Sequence, residues 1–264
     1  MNYPIYQVDA FSSEPFGGNP AAIMPLDQWM EDERLQSIAE ENNLSETAFI
    51  VPKGNDFELR WFTPAVEVDL CGHATLAAAH VLFEHLAYDS DSIRFHTRSG
   101  VLEVLRQGAG YTLDFPAYAL ANGVIDMPIC DALGAVASEV VAVVGAQKLL
   151  YVFEFEEDVA KLSPDFAALL AASDKCIIAT APGDNCDFVS RFFGPQVGIN
   201  EDPVTGSAHC ALVPYWSKRL GLQRMEARQI SARGGDLSCE LTDERVKMTG
   251  RAVTFMQGQV VLTN

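Results

Sequence analysis

The stretch DFELRWFTP at residues 56–64 returns as DFVSRFFGP at residues 187–195, in a chain of 264 residues. In both stretches aromatic and polar residues alternate up to a closing proline, a pattern that indicates a β-strand followed by a turn. The second stretch follows the first at a distance close to half the length of the chain. The two stretches therefore suggest that the chain contains one structural unit twice.

Two further matches follow in the same order. GHATLAAAHVL, which begins at Gly72, corresponds to GSAHCALVPYW, which begins at Gly206. RSGVL at residues 98–102 corresponds to RGGDL at residues 233–237. Three matches in one order and at nearly one spacing predict an internal duplication that produces two similar domains.

Each half of the chain follows one plan, in which an aromatic strand leads through a turn and an acidic loop to a glycine and then a helix. The first of these helices carries apolar residues on nearly all sides, so it must be buried. Further strand-like segments follow each helix, such as GVLEVLRQ at residues 100–107 and LSCELT at residues 237–242. We therefore predict an α+β fold of two similar domains, each a curled β-sheet or barrel around a buried central helix.

The expected domain boundary lies near FPAYALANG at residues 115–123, where a proline and a run of small residues follow a strand. We expect residues 1–117 to form the first domain and residues 118–252 to form the second. The final segment, residues 253–264, is predicted as a strand that could return to the first domain.

A surface helix is predicted ahead of the repeated segments, over residues 27–41. Trp29, Leu35 and Ile38 form its apolar side, and Asp27 is its expected N-cap. The asparagine pair at residues 42–43 marks its expected end.

The composition argues against several classes of partner. The formal net charge is −18, and so acidic a surface repels nucleic acid and anionic membranes, because binding to either begins by neutralising phosphates. The first residues show neither the basic segment nor the apolar core of a secretory signal, and no apolar run reaches the length of a membrane span. Six scattered cysteines without a C-x-x-C pair indicate reduced thiols, so we expect a cytoplasmic protein.

A carboxylate distinguishes the two copies. Glu46, in NNLSETAFI at residues 42–50, falls opposite Ile177 when the two copies are aligned on Asp56 and Asp187 without a gap. Residues that serve the fold should match across a duplication, whereas the residues of a site need not. The asymmetry leaves two interpretations open: Glu46 is either a site residue or an exposed residue at a strand end.

The two helix starts are a second candidate for a site. Helix N-termini present free N–H groups and the positive end of the macrodipole, and a glycine lets a ligand approach the backbone closely. If the starts at Gly72 and Gly206 converge on one cleft, they form a site for a carboxylate or a developing enolate oxygen. His73 beside the first glycine and Asp202 near the second favour this interpretation over one in which the glycines only ease turns.

Four segments together resemble the signature blocks of the PhzF-like family, which is named for an isomerase of phenazine biosynthesis. They are DAFSSEPFGGNPAAI at residues 9–23, NNLSETAFI at 42–50, RWFTPAVEVDLCGHATLAAAHVL at 60–82 and NEDPVTGSAH at 200–209. The resemblance implies the two-domain architecture of diaminopimelate epimerase and proline racemase, with the active site in the cleft between the domains. It also implies a homodimer and an isomerase that acts without a cofactor on a small anionic substrate.

The same resemblance implies roles for individual residues. Glu46 corresponds to the general acid and base of the family, and His73, Asp202 and Ser207 correspond to polar residues that bind and polarise the substrate. Substrate-binding positions are also implied for three further residues, Gly72, Gly206 and Asn19. The founding isomerase moves a proton within trans-2,3-dihydro-3-hydroxyanthranilate, so the resemblance implies the same class of reaction here, although not the same substrate.

Two alternatives to a PhzF-like isomerase remain open at the level of sequence. A racemase of this fold uses one cysteine from each half, but here only Cys71 precedes its glycine, since Val204 and Thr205 precede the other. An amino-acid epimerase of that kind is therefore disfavoured, and a non-catalytic small-molecule binding protein is the second alternative. No metal site is predicted, because the cysteines and histidines lack the spacing of zinc ligands.

Overall fold

The computed structural model describes residues 1–263, and the chain divides into two compact units. The first unit comprises Met1–Asp114 together with the C-terminal residues from Thr249 onward. The second unit is Phe115–Met248. No helix among the described residues is both long enough and apolar enough to span a bilayer.

The elements up to residue 122 are nine strands and two helices. They are β1 (Asn2–Ala10), β2 (Asn19–Pro25), α1 (Asp32–Asn42), β3 (Glu46–Lys53), β4 (Asp56–Phe62), β5 (Glu67–Val68), α2 (Gly72–Glu84), β6 (Ser92–Thr97), β7 (Gly100–Gln107), β8 (Gly110–Pro116) and β9 (Leu120–Asn122).

The elements after residue 122 are nine strands, four α-helices and one 3₁₀ turn. They are α3 (Met127–Leu133), β10 (Glu139–Val143), β11 (Lys148–Val152), α4 (Glu156–Ala160), α5 (Phe166–Ala172), β12 (Cys176–Pro182), β13 (Phe188–Gly194), a 3₁₀ turn (Pro195–Val197), β14 (Ile199–Asp202), α6 (Gly206–Leu220), β15 (Arg224–Gln229), β16 (Gly235–Thr242), β17 (Arg245–Gly250) and β18 (Ala252–Val261).

The first unit wraps its strands around α2. Strand β3 runs parallel to β2 and antiparallel to β4, which pairs antiparallel with β5 and parallel with β6. Strand β6 continues antiparallel into β7 and then β8, and β18 pairs antiparallel along β1. Every residue of α2 from His73 to Phe83 is buried, because apolar side chains on all faces leave the helix no solvent side.

The second unit repeats this pairing order. Strand β12 runs parallel to β11 and antiparallel to β13, which pairs antiparallel with β14 and parallel with β15. Strand β15 then pairs antiparallel with β16, and the buried helix of this unit is α6. The two repeated stretches therefore form equivalent strands, β4 and β13, as the duplication predicts.

A matching ion pair holds each of these strands to its short neighbour. Arg60 of β4 binds Glu67 of β5 through Nε and Nη2, with both N···O distances at 2.7 Å. Arg191 of β13 binds Glu201 of β14 in the same two-pronged way, at 2.7 and 2.9 Å. Because a guanidinium that meets a carboxylate with two parallel bonds is geometrically specific, the arginine common to both stretches serves the fold.

The strand register corrects the residue expected opposite Glu46. Thr47 pairs with Phe62 in the first unit, and Ile177 pairs with Phe193 in the second. Since Phe62 and Phe193 are equivalent, Ile177 corresponds to Thr47, and Cys176 corresponds to Glu46. The prediction of Ile177 was wrong by one residue because the chain from Ile177 to Phe193 is one residue longer than the chain from Thr47 to Phe62.

The first helix is shorter than its sequence pattern predicts. It begins at Asp32 rather than near Asp27, and Asn43 closes it in the left-handed conformation. Trp29 lies before the helix begins, although its side chain packs against the buried cluster that contains Leu35 and Ile38; its indole N–H donates to Glu58 of β4 at 2.6 Å. Leu35 and Ile38 are buried as predicted.

Candidate active site

Glu46 and His73 meet in the first unit. Glu46 is the first residue of β3 and His73 is the second residue of α2, so the strand start and the helix start bring the two side chains together. His73 Nε2 lies 3.1 Å from Glu46 Oε2, and the two side chains are 6% and 12% exposed. Neither atom has a hydrogen-bond partner among the described residues, so the pair is an ionic contact rather than a well-aligned hydrogen bond.

Cys71 completes this cluster from the N-cap position of α2. Its Sγ lies 3.4 Å from His73 Nδ1, and its carbonyl accepts a 2.6 Å bond from the Thr75 hydroxyl. One ligand atom each from Glu46, Cys71 and His73 lies within 4.8 Å of the other two, an arrangement that could also hold a metal ion. The absence of a metal, which the sequence predicts, therefore stays a prediction.

The electrostatics of the cluster favour an ion pair beside a neutral thiol. Burial, reinforced by the nearby charge of Glu46, raises the pKa of the Cys71 thiol. Burial also disfavours a charged His73, but its contacts with Cys71 and Glu46 outweigh this effect and raise the pKa of His73 well above its usual value. The contacts with Cys71 and Glu46 therefore favour the charged form of His73.

The start of α2 adds hydrogen-bond donors beside this pair. No side chain caps the helix, and no group in the described part of the chain accepts from the amides of Gly72 and His73. These amides are the positive end of the helix dipole. The first unit thus places a carboxylate, an imidazolium and two free N–H groups around one helix start.

The second unit builds its helix start differently. The Thr205 hydroxyl donates to Oδ2 of Asp202 in a short hydrogen bond instead of capping α6. Gln229, which is fully buried, accepts from the Thr205 amide at 2.9 Å and donates to the Asp202 carbonyl at 2.7 Å. Asp202, itself 8% exposed, is therefore part of a network that fixes the loop leading into α6.

Ser207 has a partner that the sequence did not suggest. The ammonium of Lys148, the first residue of β11, donates to Ser207 Oγ at 2.9 Å. The same ammonium lies 5.4 Å from the centre of the Tyr118 ring. The amides of Gly206 and Ser207 find no acceptor among the described residues, so this helix start also presents free donors.

The remaining predicted residue, Asn19, is the first residue of β2 and is fully buried. Ala21 of the same strand pairs in register with Glu46, so Asn19 lies two residues before the strand position next to Glu46. The structure therefore gathers Glu46, Gly72 and His73 at one helix start of the first unit. It gathers three others, Asp202, Gly206 and Ser207, at the equivalent helix start of the second.

The model of the phenazine biosynthesis-like protein family matches residues 8–258. The chain belongs to this family. An uncharacterized isomerase of Pseudomonas aeruginosa is 51% identical over 262 residues, which cover 99% of this chain and 100% of that protein.

Solved structures of the PhzF family resemble this chain closely. A crystal structure of a phenazine biosynthesis protein of the PhzF family from Enterococcus faecalis matches with a TM-score of 0.95 and 47% identity, covering 99% of this chain and 100% of that chain. A hydroxyproline epimerase from Agrobacterium vitis shares the fold at a TM-score of 0.60 and 10% identity, over 100% of this chain and 93% of that chain. The predicted family and the predicted α+β, epimerase-like fold are both confirmed.

Sequence reasoning about this PhzF-like chain missed Lys148, Thr205 and Gln229. Lys148 stands alone before the apolar run LLYVF, which is a weak signal, since a lysine at a strand start is usually a solvated end residue. Thr205 and Gln229 are ordinary polar residues in sequence. Only the pairing of distant strands and helices gives these three residues a place near the predicted site.

Proposed function

We propose that the chain is a cofactor-independent isomerase that shifts a proton within a small carboxylate-bearing substrate, either cyclic or amino acid-like. The family and its isomerase-named relatives support the reaction class. The observation that carries the proposal is the Glu46–His73 ion pair at the open start of α2. Such a pair combines a base with a cationic donor, which proton abstraction next to a carbonyl or carboxylate requires.

Glu46 is the proton carrier in this mechanism. Its carboxylate takes the proton from a carbon next to the carbonyl or carboxylate group of the substrate. The electron pair of the broken C–H bond moves toward the oxygen of that group, and Glu46 then returns the proton to another carbon. His73 and the amides at the start of α2 stabilise the negative charge on the enolate oxygen while it lasts.

The helix start of the second unit has the donors to bind the substrate. The amides of Gly206 and Ser207 suit an anionic group, and Asp202 holds the loop that leads to them. We assign Asn19 to the binding of the substrate as well, because it lies near Glu46 on the neighbouring strand.

The experiment is an exchange assay in deuterated water. The protein is incubated with the small carboxylates of a cell extract, and mass spectrometry detects the compound that gains one deuterium. Glu46→Gln keeps the size and polarity of the side chain but removes the base, so exchange should fall by about 10²–10⁴-fold. Binding of the same compound, measured by calorimetry, should change far less.

Glu41→Gln is the matched control. The Glu41→Gln substitution makes the same change of charge on the exposed side of α1 and should leave deuterium exchange unchanged. If Glu46→Gln exchanges as fast as the parent protein, the base is elsewhere and the proposal fails. A compound that binds the parent but never exchanges would instead favour the non-catalytic binding protein.

A further inference from the structure

Lys148 is a cation held inside the second unit. Its side chain is only partly accessible, and its ammonium donates one bond to Ser207 Oγ at 2.9 Å. The Tyr118 ring lies 5.4 Å away. An ammonium has three N–H donors, so two remain after the bond to Ser207.

The ammonium of Lys148 has no counter-ion among the described residues. No carboxylate in the described part of the chain lies within 4.0 Å of Lys148 Nζ. Burial lowers the pKa of Lys148, and Cys210, Cys176 and Asp202 oppose this effect. Asp202, which is the carboxylate among them, already accepts a hydrogen bond from Thr205. A partly buried charge without a partner is costly, so an anion that reached Lys148 would be stabilised there.

The groups around Lys148 are donors. Ser207 Oγ accepts from Lys148, which leaves its own O–H to donate elsewhere. The amides of Gly206 and Ser207 are also without acceptors among the residues described. Ammonium, hydroxyl and amide donors together suit the oxygens of a carboxylate.

The duplication makes Lys148 the equivalent of Ala21, which lies beside Glu46 on the neighbouring strand. Lys148 pairs in register with Cys176, just as Ala21 pairs with Glu46. Cys176 takes the place of Glu46 in the second copy, and Ser207 takes the place of His73. The Lys148–Ser207 contact therefore joins the helix position equivalent to His73 with the strand position next to the one equivalent to Glu46. The first copy carries the carboxylate, and the second copy carries a cation instead.

We infer that Lys148 is a specificity-determining residue that binds the carboxylate of the substrate, with Ser207 holding its ammonium in place. The assignment of this carboxylate to a substrate rests on the proposed function. Lys148 thereby selects anionic compounds over neutral ones of the same shape.

The test compares benzoate with benzamide, two ring compounds of similar shape that differ in charge. Binding is followed through the ¹⁵N–¹H signals of the Gly206 and Ser207 amides of the full chain. Lys148→Met removes the ammonium and should weaken benzoate binding about 10- to 100-fold, as expected for the loss of a hydrogen bond to a charged group. Binding of benzamide should stay the same, and Lys148→Arg should bind benzoate more tightly than Lys148→Met.

Lys218→Met is the matched control. Lys218 is exposed in the last turn of α6, about 16 Å along the helix from Ser207. The Lys218→Met change removes the same charge from the helix that carries Ser207 and should leave benzoate binding unchanged. If Lys148→Met does not fold, Lys148→Gln, which is neutral but polar, takes its place in the comparison.

Three results would overturn the inference. The first is a parent protein that shows no benzoate binding up to the solubility limit. The second is unchanged benzoate binding in Lys148→Met. The third is an equal loss of benzoate and benzamide binding, which would mean a structural role. None of these results depends on deuterium exchange, so a failure of the proposed reaction and a failure of this inference are distinguishable.

Discussion

His209 should make the second unit sensitive to acid. This histidine is fully buried in α6, where its Nδ1 donates to the Thr205 carbonyl at 2.9 Å. Its Nε2 is buried without a hydrogen-bond partner, so a second proton would have no acceptor. Burial, only partly opposed by the bond to Thr205, lowers the pKa of His209 to about 4.

The sign and size of the effect follow from this pKa. In the unfolded chain a histidine has a pKa of about 6.5. Below that pH the unfolded state therefore binds a proton that the folded state does not bind until the pH approaches 4. The stability that neutral His209 contributes is complete above about pH 6.5 and is lost as the pH falls toward 4. The loss is about 2 kcal/mol at pH 5 and about 3 kcal/mol once the folded pKa is passed.

His209→Asn is the variant that measures this contribution. Its amide can donate to the Thr205 carbonyl but does not titrate. The smaller side chain lowers stability at every pH, so the useful quantity is the change in unfolding free energy between pH 7 and pH 5. The parent protein should lose about 2 kcal/mol more than the variant over this interval.

Urea unfolding supplies the measurement. Trp216 stacks on Phe188 at 5.8 Å, and Phe188 lies 6.0 Å from His209, so tryptophan fluorescence reports on this region. Trp29 and Trp61 belong to the first unit and also fluoresce, so amide exchange within α6 provides a second, local measurement. Equal pH dependence in parent and variant, or an NMR titration of the folded His209 ring near pH 6.5, would refute the reasoning.

Three further outcomes are expected. Gly250→Ala should cost about 1–3 kcal/mol in thermal unfolding, because its new Cβ would lie 2.3 Å from the Phe11 ring, whereas the control Gly258→Ala meets Ile5 only at 3.8 Å. Cys71→Ala should keep deuterium exchange within about tenfold of the parent, since Glu46 carries the proton; a loss as large as that of Glu46→Gln would favour the thiol-based epimerase. Elemental analysis should find no stoichiometric transition metal, and one metal per chain that disappears in Cys71→Ala would contradict this expectation.

Much of the fold was predictable because its signals are local. The alternation in residues 56–62 and 187–193 is a property of neighbouring residues, and it predicted strands β4 and β13 to within one residue of their observed bounds. The burial of α2 follows from the lack of a polar face in GHATLAAAHVLFE. A duplication also repeats the pairing order of the strands, so the pattern predicted for one unit applies to the other as well.

Several features depended on which distant segments meet. Glu46 was found in sequence, but its equivalence to Cys176 depends on one extra residue in the second copy, and a shift of one residue reverses which side of a sheet a side chain faces. Trp29 matched a helical pattern, yet its hydrogen bond to Glu58 ties it to the sheet.

The sequence by itself determined the repeat, the strands, the buried helices and the residues that carry the family resemblance, because each is encoded in residue types at short spacing. Tertiary structure alone decided the partners at the site. Lys148 and Ser207 are 59 residues apart, and Gln229 lies 24 residues beyond Thr205. Contacts of such separation depend on strand register and loop length, which no local pattern of residues specifies.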